Sequence, residues 1–156
     1  NDPANLEAGL LNINEKVYKK FIDYKQFQFI SVYPEGKSQE IIAIKEKLAA
    51  FTDLKQWKFV ALQEDEIQVL YDGLQAPKEL QNLSSTEAFL IDKTLNLRGR
   101  TNDEDTADGM LFGYNLNSIS VLNGKMKDDI SVLFYEYYAA FKVKNKNKAE
   151  RKEVGL

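Results

Sequence analysis

The chain has 156 residues, 44% of them apolar and 29% charged, with a formal net charge of -3. That suits one soluble domain with a real core, and it lacks the basic excess that nucleic-acid binding needs. There are 0 Cys and 0 His, which excludes thiol nucleophiles, disulfides, His bases, Ser-His-Asp triads and Cys- or His-based zinc or copper sites within these residues.

Residues 3–23 predict a helix, with Leu6, Leu10, Ile13, Val17 and Phe21 forming one apolar stripe. Asp2 suits the N-cap and Pro3 the first helical position, while Gly9 is a mild cost inside. The run Phe27–Gly36 reads as a buried central strand, because its apolar residues are almost continuous. Pro34-Glu35-Gly36 ends it. A second helix follows over 37–51, with Ser38 as cap and Ile41, Ile44, Leu48 and Phe51 facing the core.

Trp57–Gln63 is the next predicted strand, and Asp65–Leu74 a short helix stopped by Gly73 and then Pro77. Glu87–Arg100 reads as a β-hairpin turning at Asp92–Thr94. Residues 101–109 are acidic and turn-like, and Met110–Leu116 offers a short edge strand. The last helix is predicted from Asn117 to Lys142, with Ser118 as cap and a core stripe of Ile119, Leu122, Met126, Ile130, Leu133, Tyr137 and Phe141. Phe134, Tyr135 and Tyr138 fall off that stripe, which points to a partner surface or a membrane interface if they are exposed. The chain thus divides into a domain over 1–142 and a basic polar tail over 143–156. Helices alternating with strands predict an α/β sheet with helices on its faces.

The residues give little local chemistry. Counted from Asp103, a calcium loop has Asp105 at its third position, but Asp108 stands at the sixth and Tyr114 at the twelfth, where Gly and Glu are needed. The loop is a solvated turn or a weak cation site. Lys142, Lys144, Lys146, Lys148, Arg151 and Lys152 outnumber Glu150 and Glu153, so the tail is a solvated segment or a contact for anionic lipid or an acidic partner. Met110 and Met126 read as packing residues. No paired carboxylates or phosphate-cradling glycine loop stand out, so no residue takes a catalytic role and no cofactor is expected.

Several phrases in order resemble the SCO/SenC family, the thioredoxin-fold copper-delivery proteins of cytochrome oxidase assembly. Asp2-Pro3-Ala4-Asn5-Leu6 is similar to the second Cys of the family's Cys-x-x-x-Cys-Pro and the helix start after it, with Asp2 at the Cys position. Ser31, Val32, Pro34 and Glu35 match a Ser-Val-Asp-Pro-Glu phrase, with Tyr33 in place of Asp. Trp57–Leu74 resembles the segment with Trp-x-Phe-Leu-Thr-Gly and a short helix, and Leu90, Ile91 and Asp92 match the hairpin. Ser84 falls where the family places its copper-binding His, and the closing helix resembles that of Bacteroidetes-type members.

The resemblance implies an α/β thioredoxin-like fold of the SCO type, here lacking its N-terminal central strand, so that the chain is a fragment or another segment or a partner fills the slot. It also implies an extracytoplasmic, periplasmic protein anchored to the membrane upstream of Asn1. With Asp2 and Ser84 at the ligand positions, the copper site is lost. The implied role is non-enzymatic: an accessory or assembly factor that binds a respiratory oxidase complex, with membrane-surface contact through the basic tail and no nucleic acid. The alternative is a copper chaperone or thiol-redox protein whose site is completed upstream of Asn1 or by a partner.

Overall fold

Helices form where the apolar stripes lie, but Ser38, expected as a cap, is the first residue of its helix, and Lys37 at the cap position makes no side-chain cap bond. The structure, a computed structural model, describes residues 3–153, with side chains described for residues 5–146. Asp2, expected as helix cap and family ligand position, lies outside the described residues. The elements run α1 (Pro3–Ile13), a π-helical turn π1 (Asn14–Tyr18), α2 (Lys19–Phe21), β1 (Phe29–Pro34), α3 (Ser38–Ala49), β2 (Trp57–Leu62) and α4 (Glu64–Gly73). They continue as β3 (Glu87–Ala88), β4 (Leu90–Ile91), β5 (Leu97–Arg98), β6 (Tyr114–Asn115), a π-helical turn π2 (Val121–Met126) and α5 (Lys127–Glu153).

The architecture is mixed α/β. β1 and β2 are parallel and joined through α3, with Phe29 opposite Trp57 and Ser31 opposite Phe59. Tyr18 on π1 is the hub beneath them. Its ring lies 5.0 Å from Trp57, 5.9 Å from Phe29 and 6.4 Å from Phe27. Its hydroxyl donates to the Asp53 carbonyl at 3.0 Å and accepts the Gln56 N–H at 3.0 Å, so its polar end is satisfied inside the core. Trp57 donates its indole N–H to Ser31 Oγ at 2.9 Å. π1 and π2 pack on each other, and Leu48, Leu122, Met126 and Ile130 close the core.

Several expectations need correction. The strand predicted as buried and central starts at Phe29 and pairs, among the described strands, only with β2. Ile30 on it is 57% exposed. The apolar run marks a strand, but continuity cannot tell a central position from an edge. Phe51 follows the end of α3 and is exposed. The hairpin expected over Glu87–Arg100 is divided: β4 pairs with β5, whereas β3 turns to the later β6. The strands form three two-stranded pairs.

The last helix differs most. Ile119 is exposed. Phe134, placed off the stripe by spacing, packs 5.8 Å from Phe21 and 4.7 Å from Tyr24, while Phe141 is exposed. The stripe Leu122, Met126, Ile130 and Leu133 is buried as its spacing predicts, and Phe134 joins it because it lies one turn after Ile130. α5 also continues to Glu153, through most of the stretch read as a basic polar tail.

Candidate functional site

Of the two positions that the resemblance implies as ligands, Asp2 lies outside the described residues and Ser84 stands at a corner of the chain. Ser84 sits in a tight turn in which Gln81 and Ser84 exchange backbone hydrogen bonds of 3.0 and 3.3 Å. Asn82 and Leu83 bridge it in the left-handed region, at φ 50 and 56. The loop then passes Thr86, whose carbonyl accepts the Leu116 N–H at 2.9 Å. The Leu116 carbonyl accepts Asn12 Nδ2 at 3.2 Å. One residue therefore ties α1 to the loop before β3. Gly9 makes this approach possible, because a Cβ there would lie 2.8 Å from Leu116 Cβ. A serine hydroxyl is a neutral, hard donor and a poor substitute for imidazole toward copper. Among the described residues no three carboxylate, imidazole or thiol side chains gather as a metal site.

Beside this corner is a residue the sequence did not single out. Glu87 opens β3 with its side chain only 8% exposed. One carboxylate oxygen pairs with Lys78, and the other is buried with no partner. It fits because residue 113 is glycine, where a Cβ would come within 2.5 Å of that oxygen. Lys78 also lines a groove of about 440 Å³ with Gln68, Tyr71 and Asp72. Tyr71 fixes the groove's wall, donating to the Lys78 carbonyl at 2.8 Å and meeting Phe89 edge-on at 5.9 Å. The groove sets one cation, Lys78, beside the carboxylates of Asp72 and Glu79 and the ring of Tyr71. Glu87 carried no local signal, since its burial depends on a glycine far along the chain.

A second polar cluster is structural. Arg100 Nε reaches both carboxylate oxygens of Asp129 at 2.9 Å, and its Nη2 donates to the Lys125 carbonyl at 3.1 Å. Lys125 Nζ in turn lies 2.7 Å from Asp103 and 2.7 Å from Asp105. The acidic loop expected to be solvated is thus pinned to π2, and Asp103 is 6% exposed. Hydrogen bonding to Lys125 holds the Asp103 carboxyl below the usual range, and the Lys125 ammonium is correspondingly raised.

The hairpin tip is built in the same way. Asp92 Oδ1 accepts the N–H groups of Thr94 and Asn96 at 2.9 and 3.0 Å, and the Asn96 bond is the chief reason its carboxyl lies well below the usual range. Arg98 joins Asp92 to Glu136 on α5.

Comparison with protein-family models, with curated proteins and with solved structures gives no match.

Proposed function

We propose that this chain is a non-catalytic, thioredoxin-like protein of the SCO type. In this reading it is extracytoplasmic, tethered to the membrane upstream of Asn1, and binds a protein partner of the respiratory oxidase or its assembly machinery. The observation that carries the reading is the edge of β1 that no described strand occupies. Phe29 and Glu35 donate to Gln56 and Leu62, so in this parallel ladder alternate residues serve β2 and the backbone groups of Ile30 and Val32 point to the other side. An apolar parallel strand with an open edge is the place where a further strand adds. The neutral hydroxyl at Ser84 supports a binding role over a copper-delivery role.

The test is purification of the protein from its native membrane under mild detergent, followed by mass spectrometry of what accompanies it and a Cu(I) competition titration. The reading expects oxidase or assembly subunits in the complex and no stoichiometric Cu(I). Tight, stoichiometric Cu(I) on the isolated protein would overturn the non-catalytic assignment. Loss of the companion subunits would overturn the partner.

A further inference from the structure

Residues 130–143 of α5 are apolar on two faces. Ile130, Leu133, Phe134 and Tyr137 turn toward the body, where Tyr137 accepts the Lys93 N–H at 3.0 Å. Val132, Tyr135 and Val143 face the other way and are 55–72% exposed, while Tyr138 lies between the two faces with Lys142 Nζ 4.6 Å over its ring. A helix that is apolar all round is ordinarily covered all round.

The outer face has a regular spacing. Asp128, Val132, Tyr135, Ala139, Lys142 and Lys146 follow one another at steps of four, three, four, three and four, the spacing of a coiled-coil seam. Read backwards, the series complements itself. Turned about its midpoint, it sets Asp128 against the Lys146 of a second copy, Val132 against the aliphatic stem of Lys142, and Tyr135 against Ala139. Acid meets base at the ends, and large meets small in the middle. A parallel pair would instead set Asp128 on Asp128 and Lys142 on Lys142.

We propose that two copies of the chain pair antiparallel through this outer face of α5. The contact is isologous and closes on itself. From Asp128 to Lys146 it spans about 27 Å at the helical rise, short for a protein interface, so the dimer is reversible and concentration-dependent. An anionic membrane is the competing occupant, since the end of α5 is rich in lysine. The acidic start of the seam favours a second copy, because lipid headgroups would meet Asp128 with like charge. This inference is independent of the SCO-type reading and can fail without it.

Sedimentation equilibrium of the full chain over a wide concentration range tests it. The mass should rise toward the dimer, and Tyr135→Glu should weaken association at least about tenfold with unchanged circular dichroism, since the residue is exposed. Asp128→Lys should weaken it, and adding Lys146→Asp should restore it. The chain has 0 Cys, so the double variant Tyr135→Cys/Ala139→Cys should form an interchain disulfide on mild oxidation, while Tyr135→Cys alone should not. A monomer at every concentration overturns the proposal, as does a dimer indifferent to Tyr135→Glu. Binding of a still-monomeric chain to phosphatidylglycerol vesicles through the same residues overturns it in favour of the membrane.

Discussion

Tyr114 donates its phenolic hydrogen to Asp129 Oδ2 at 2.6 Å. The same carboxylate is held from the other side by Arg100. This joins β6, the strand-to-loop segment at Arg100 and the start of α5 through one acceptor. Tyr114 is fully buried, so its hydroxyl has no alternative in water. Tyr114→Phe removes one charge-assisted bond and should cost about 1.5–3 kcal/mol. Asp129→Ala leaves both donors without the carboxylate and should cost more. Urea unfolding reads both: the midpoint should fall with an unchanged slope.

Stability should fall at both ends of the pH scale. Asp92 and Asp103 have lowered folded values, set chiefly by the Asn96 N–H and by Lys125 respectively. The stability they supply is therefore present above the unfolded carboxylate value of about 3.9, and it is lost as pH falls toward their folded values. Tyr114 is raised by burial first and by its bond to Asp129 second. Its contribution is full below the unfolded tyrosine value of about 10 and declines as pH rises past it. Thermal melts across buffers should show a plateau from about pH 5 to about pH 9. Tyr114→Phe should flatten the alkaline limb and leave the acid limb as it was.

The hairpin tip contains a conformational cost that can be removed. Leu95 has φ 65, and its side chain is 85% exposed. Its N–H closes a turn on the Asp92 carbonyl at 2.9 Å, so the backbone must take this shape whatever the residue. A left-handed leucine costs about 1–2 kcal/mol, and glycine avoids that while losing some chain entropy. Leu95→Gly should therefore stabilise the protein by about 0.5–1 kcal/mol. A lower melting temperature would show that Leu95 makes contacts worth more than its strain.

The open edge of β1 is a liability in the isolated chain. Ile30→Lys should lower aggregation at high concentration and shift stability by less than about 0.5 kcal/mol, since the side chain is mostly exposed. Light scattering and a urea titration measure the two effects. If the variant also lost the partner subunits seen in the purification above, β1 would be the binding edge.

Much of the fold was legible because its signals are local. The stripe through Ile13, Val17 and Phe21 is buried as its spacing indicates. Gly73 ends α4 as expected. The absence of Cys and His bounded the chemistry without any fold at all. Ser84 stands in a turn whose neighbours could not be foreseen from its sequence.

The remainder depended on which faces found a partner. Periodicity states that residues share a face, and it cannot state what lies opposite. Ile30 and Val32 look the same in sequence whether their strand is central or at an edge, and the pairing of β1, among the described strands, with β2 alone distinguishes them. Phe134 joins the buried face one turn after Ile130, whereas Phe141, two turns further along that face, is exposed. Glu87 and Asp103 are buried by Gly113 and Lys125, residues distant in the chain. Local sequence therefore determined the elements and the chemistry available to them, while burial, charge pairing and the outward face of α5 were decided in three dimensions, where solvent is excluded only by what packs alongside.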